Sequence, residues 1–230
     1  MILIAFGTRP EWIKLRPVID KMLEHGIPCK IIFTGQHRHL IDPYVFTHYQ
    51  ITTMPVASST TGPDNKENRL NYIVREIMRS FQFNANEIKY VMVQGDTTSA
   101  FGIALAAFHS KIPVIHLEAG LRTYDHLSPY PEEFNRQAIG AMADVNLCPT
   151  KTASDNLIRE GKDPNSIYIV GNTVLDNLSN IKAVNNKNVL ITMHRRENHK
   201  KLARWFIALD DLAGNNPDLN FILPIQPNRS

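Results

Sequence analysis

Cysteine is nearly missing. Cys29 and Cys148 are the two in 230 residues and lie far apart, which argues against a disulfide framework or a cysteine-rich zinc module. Each lies in or beside an apolar strand-like run, so both are read as buried, reduced thiols of a cytoplasmic protein. Long hydrophobic runs are missing too. No segment approaches 18 apolar residues without a charge, and the opening MILIAF lacks the basic region and long apolar stretch of a secretion signal. A soluble chain without membrane association is expected. Nor is there an excess of one charge: 25 Lys and Arg stand against 22 Asp and Glu, with no continuous basic run, so nucleic acid is not expected as a partner. Walker and GxGxxG signatures are both absent.

What is present is ordinary globular composition, 43% hydrophobic and 20% charged. Short apolar runs at 2–6, 29–33, 90–93, 114–117, 145–147 and 167–170 alternate with helical patterns at 11–24, 66–81, 98–108, 133–142, 152–159 and 173–181. Several of the strands are apolar on both faces, as a sheet covered by helices on both sides requires. The pattern predicts an α/β fold, a Rossmann-like doubly wound parallel sheet over residues 1–181. Polar residues 182–188 read as a linker. Beyond them, strands at 189–192 and 219–223 flank a helix at 202–212. Two strands and a helix cannot enclose a core, so 189–230 is expected to be a partial second Rossmann-like domain.

The chemistry-bearing residues fall at strand ends. The first strand runs into Gly7-Thr8-Arg9-Pro10-Glu11, with Lys14 one turn on. A glycine turn before a helix start can hold an anion on backbone N–H groups, with Arg9 and Lys14 adding charge. A plain βα turn with solvated bases is the blander alternative. Gln94-Gly95-Asp96-Thr97-Thr98 delivers a carboxylate to the sheet's C-terminal edge, where doubly wound sheets bind ligands, although Asp96 could equally cap the next helix. His116-Leu117-Glu118-Ala119-Gly120-Leu121-Arg122 reaches the same edge, and the following loop ends in Pro131-Glu132-Glu133, with Arg136 close behind. Asp96, Glu118 and Glu132 are therefore expected to converge on one crevice with Arg122 and Arg136, both read as substrate-binding. Like charges are costly to gather unless paired or used, which favours function. Zinc on His116 and Glu118 is weaker: the two would share a strand face, but no third ligand has metal-like spacing. His194 and Arg195, after the strand at 189–192, suggest a second anion site across an interdomain cleft.

Taken in order, GTRPE, TGQHR, QGDTTSA, HLEAGLR, PYPEEFNRQ, GNTVLDNL and HRREN resemble the non-hydrolysing UDP-N-acetylglucosamine 2-epimerase family over nearly the whole chain. That resemblance implies two Rossmann-like domains in the B-type glycosyltransferase arrangement, UDP-GlcNAc and UDP-ManNAc as substrates, no cofactor or metal, and a homodimer when complete. It implies catalytic roles for Asp96, Glu118, Glu132 and His194, and contacts to substrate from Arg9, Lys14 and Arg136. Gln36, Arg75 and Arg195 fit the family's allosteric site, whereas His39, Glu76 and Gln226 depart from it. The family continues into a further UDP-gripping segment beyond Ser230, so the chain is expected to be truncated within its second domain and to lack epimerase activity by itself. The resemblance leaves two alternatives: the hydrolysing relative, which HRREN opposes, and a non-catalytic UDP-sugar-binding fragment.

Overall fold

The computed structural model describes residues 1–36, 41–54, 66–179, 181–182, 186–192 and 202–224, with backbone alone at 66–69. Met1–Ser179 and Asn180–Ser230 form two compact units.

The first unit is built on a parallel sheet ordered β3-β2-β1-β4-β5-β6-β7. Its strands are β1 (Ile2–Phe6), β2 (Cys29–Phe33), β3 (Thr52–Thr53), β4 (Tyr90–Gln94), β5 (Val114–Leu117), β6 (Val145–Cys148) and β7 (Ile167–Ile169). Helices α1 (Arg9–Glu24), α2 (Pro43–His48), α3 (Lys66–Ser80), α4 (Thr98–His109), α5 (Glu132–Met142) and α6 (Lys151–Arg159) connect them. Ile4 and Phe6 of β1 pack with Trp12, Leu15 and Ile19 of α1 on one side. Leu3 and Ala5 face the opposite layer, with Ile77 of α3, Ile103 and Ala104 of α4 and Ile139 of α5. Each large aliphatic side chain so buried is worth about 1.5–3 kcal/mol against exposure. The order of succession reverses between β1 and β4, with β2 and β3 added on one side and β4 to β7 on the other, and that switch point opens a crevice at the strands' C-terminal ends.

The sheet confirms the α/β class read from the alternation of runs. Three details differ. Cys29 is half-buried, whereas Cys148 is fully buried; both are free thiols. The short α2 and β3 lie in a stretch without a clear period. Of the helical pattern at 173–181, the described residues 173–179 form no α-helix: Thr173–Leu178 is a 3₁₀ turn capped by Asn172. There the Thr173 hydroxyl donates to the Lys14 carbonyl (2.6 Å) and the Asn177 amide to the Ile13 carbonyl (2.9 Å), so contacts to α1 override helical periodicity.

The second unit pairs β8 (Asn188–Leu190) with β9 (Asn220–Ile222) in parallel, joined through α7 (Leu202–Gly214). None of its described residues is buried. Among the described residues no helix is long and apolar enough to cross a membrane.

Candidate active site

The turn after β1 is the first wall of the crevice. Thr8 caps α1 and Glu11 completes a reciprocal capping box. The Glu11 carboxylate accepts from the N–H groups of Gly7 (3.0 Å) and Thr8 (2.7 Å) and from the Thr97 hydroxyl (2.7 Å). The glycine turn thus holds an anion of its own: Glu11, 1% exposed, uses the N–H groups that the sequence offered to a ligand. Burial raises its carboxyl above the ordinary range, against the lowering effect of these hydrogen bonds. The T-x-x-E pattern was the available signal for this role.

Gly7 permits that geometry, because a Cβ there would come within 2.2 Å of Ser99 Oγ and 2.4 Å of Thr34 Oγ1. Gln36 accepts from Ser99 N (3.1 Å) and Oγ (2.8 Å) and stands on the crevice wall.

After β4, Gly95 turns the chain at φ +68°. Thr97, not Asp96, caps α4: its hydroxyl accepts from Ala100 N at 3.0 Å. Asp96 is thereby free to face the crevice, where its Oδ2 accepts from Arg136 Nε at 2.7 Å. Asn135 holds the Asp96 carbonyl at 2.9 Å.

β5 ends at Leu117, and Glu118 adopts a left-handed φ of +67°. Strand alternation breaks there, so the expectation that His116 and Glu118 share a face does not hold. Glu118 turns to the α1 side, where it is ion-paired to Lys14 and accepts from the Gln94 amide. His116 is buried on the α4–α5 side, its Nε2 2.7 Å from the Gly95 carbonyl.

The third carboxylate, Glu132, starts α5 and lines the same crevice. Among the described residues it makes no hydrogen bond or ion pair. Its neighbour Glu133 is fully buried and accepts from Thr123 N (3.0 Å), Tyr124 N (3.0 Å), Gln137 (2.9 Å) and Arg136 (3.1 Å), which ties the 121–131 loop to α5. Burial pushes the Glu133 carboxyl up, but hydrogen bonds from Gln137, Thr123 and Tyr124 and the charge of Arg136 outweigh it and hold the group below its usual value. A buried clamp beside a catalytic candidate could not be told apart in the pair Glu132-Glu133.

The structure therefore brings Asp96, Glu118, Glu132, Lys14, Arg136 and Gln36 around one crevice of about 500 Å³. Others go elsewhere. The guanidinium of Arg122, with a side chain 0% exposed, donates to both carboxylate oxygens of Glu160 at 2.8 Å and to the Leu121 carbonyl at 2.9 Å, away from the crevice. Arg9 is exposed beside a separate hollow with Trp12 and Ile41. Arg75, on α3, pairs with Glu76 at 3.1 Å and lies over Tyr72. His194 and Arg195, with His39 and Gln226, lie outside the described residues.

Carboxylates at the switch point of a doubly wound sheet, in a crevice that also offers a lysine and an arginine, make this the candidate active site. A family model described as UDP-N-acetylglucosamine 2-epimerase matches residues 21–230. The chain is 38% identical to a UDP-N-acetylglucosamine 2-epimerase of Campylobacter jejuni, covering 99% of this chain and 65% of that protein. It is 33% identical to one of Bacillus subtilis, over 99% of this chain and 62% of that protein. The Neisseria meningitidis enzyme, solved bound to UDP-GlcNAc, superposes with a TM-score of 0.80 at 33% identity, over 99% of this chain and 66% of that one. This chain belongs to the UDP-N-acetylglucosamine 2-epimerase family. It spans 65% of the length of the Campylobacter relative.

Proposed function

We propose that this chain carries the acid–base wall of an active site that interconverts UDP-GlcNAc and UDP-ManNAc by eliminating and re-adding UDP. C2 of the sugar is not adjacent to a carbonyl, so direct removal of its proton is prohibitive. Elimination avoids this: a carboxylate takes the C2 proton while the C1–O bond to UDP breaks, leaving a 2-acetamidoglucal. Re-addition of UDP at C1, with a proton delivered to the opposite face of C2, gives the epimer. The chemistry needs no cofactor or metal, because the leaving group takes the electron pair.

The observation that carries this reading is the meeting of three carboxylates in one crevice in three different settings: Asp96 held by Arg136, Glu118 held by Lys14 and Gln94, and Glu132 with no hydrogen bond or ion pair among the described residues. Proton abstraction, proton delivery and stabilisation of positive character at C1 call for carboxylates in unlike settings. Lys14 and Arg136 are suited to the departing diphosphate. Arg9 is proposed for the same anion; on the family resemblance His194 is proposed as catalytic and Arg195 as substrate-binding, and Gln36 and Arg75 for an effector site. The proposed organisation is a first domain over 1–181, a linker at 182–188 and part of a second domain at 189–230. Met1–Ser179 and Asn180–Ser230 are the observed compact units that support it.

Incubating the protein with UDP-GlcNAc in D₂O tests the function. UDP-ManNAc carrying deuterium at C2 is the expected product. Release of free ManNAc would replace the reading with the hydrolysing one, and binding without exchange would leave a non-catalytic UDP-sugar binder. A homodimer is proposed from the family resemblance, to be measured by sedimentation.

A further inference from the structure

His116 is 1% exposed, and among the described residues its side chain has one polar contact, from Nε2 to the carbonyl of Gly95 at 2.7 Å. A carbonyl can only accept, so Nε2 carries the proton and Nδ1 presents its lone pair. Across the β5–β6 ladder His116 stands in register with Asn146, which is itself 0% exposed. His116 Nδ1 and both polar atoms of the Asn146 side chain are buried without a partner among the described residues. An imidazole kept in such a place costs stability, and the reading of the crevice does not use it.

We propose that His116 is a positioning residue for Asp96, acting through the backbone: its Nε2–H fixes the Gly95 carbonyl and so sets the peptide plane from which Asp96 departs. This rests on the reading that Asp96 exchanges protons with the substrate.

The geometry supports it from both sides of that plane. Gly95 sits at φ +68°, where no side chain restrains it, and its own N–H bonds to the Leu117 carbonyl at 2.9 Å. One free rotation remains, that of the Gly95–Asp96 peptide, and His116 is the group that holds its oxygen. In a trans peptide the next N–H points opposite to that oxygen, so holding the carbonyl in the core turns the Asp96 N–H away from His116. Downstream, Arg136 and Asn135 hold the Asp96 carboxylate and carbonyl. His116 and the α5 pair thus pin Asp96 at three points. Burial pushes the imidazole down to about 4, with Arg122 adding to that and the Gly95 hydrogen bond and Asp96 opposing it, so the donor stays neutral and single-protonated at neutral pH.

The test compares His116→Gln, whose amide N–H can reach the same carbonyl, with His116→Met, which fills the space without a donor. In the active protein H116M is expected to lose kcat by about tenfold to a hundredfold with KM within about threefold, the scale for a misplaced catalytic group, while H116Q recovers most of the loss. Equal loss in both variants, or none in H116M, overturns the proposal. ¹⁵N NMR reads it without activity. The wild-type imidazole should show the Nε2–H form without titrating between about pH 5.5 and 8, the window of an ordinary histidine. H116M should shift the Asp96 amide resonance and H116Q restore it. A histidine titrating near neutrality, or an Asp96 amide indifferent to H116M, sinks the inference whether or not the protein turns over UDP-GlcNAc. Absent turnover with the expected spectra would count against the proposed function alone.

Discussion

Glu11 offers a direct test of how the first wall of the crevice is built. Its carboxylate satisfies the Gly7 and Thr8 N–H groups and the Thr97 hydroxyl, linking the turn after β1 to the start of α4. Glu11→Ala removes all three acceptor contacts. A buried donor left unmade costs about 1–3 kcal/mol, but the crevice admits water to this site, and the Thr97 hydroxyl can rotate. The expected loss is therefore about 2–4 kcal/mol, or a fall in Tm of roughly 5–15 °C for a unit of this size. Glu11→Gln keeps an oxygen for the two N–H groups and turns its amide to Thr97, so it should lose no more than about 1 kcal/mol. Burial raises the Glu11 carboxyl above 4.5, so the folded state holds this proton more tightly than the unfolded one. Stability from that proton is complete below pH 4.5 and is lost as pH rises through the folded value. E11Q has no such proton. Wild type should therefore lose ground relative to E11Q as pH rises above 4.5 in urea melts followed by circular dichroism. An E11A protein as stable as wild type, or a gap between wild type and E11Q that moves the other way with pH, would refute the reasoning.

Asp96→Asn and Glu132→Gln should each lower kcat for UDP-GlcNAc epimerisation by about two to four orders of magnitude with modest change in KM; near-normal turnover removes that residue from the mechanism. Arg122→Met should cost about 1–3 kcal/mol of stability by leaving Glu160 unpaired. UDP-GlcNAc affinity, read by calorimetry, should stay within about threefold, and the converse result would return Arg122 to the substrate. Gly120→Ala places a methyl 2.1 Å from the Ala153 carbonyl oxygen at φ +84°. Strain and overlap together should cost about 2–5 kcal/mol, seen as a lowered Tm or failed expression, and an unshifted Tm would contradict the close approach. Limited proteolysis should cut after Ser179 before it cuts within the sheet, because no described residue of the second unit is buried. First cuts inside β1–β6 would falsify that ranking.

The strands and most helices were legible because their signal is local. A five-residue run such as ILIAF, apolar on both faces, has few ways to satisfy itself except as a central parallel strand. The arrival of Asp96, Glu118 and Glu132 at one edge follows from the same logic, since parallel strands deliver all their C-terminal ends to one side. Sequence could not tell which neighbour each side chain would meet. Asp96 read equally well as a helix cap until Thr97 was seen to hold that place. Arg122 looked like a ligand for substrate, but its side chain follows the core side of the loop into a pairing with Glu160, 38 residues away. One left-handed residue, Glu118, sends its carboxylate to the α1 face while His116 stays on the other, and no periodicity reports a change of φ. The sequence by itself therefore determined the layered α/β fold, the functional edge and the family. Partner choice and side-chain direction were decided by tertiary structure, because both depend on residues far apart in the chain and on single backbone dihedrals that composition and spacing do not encode.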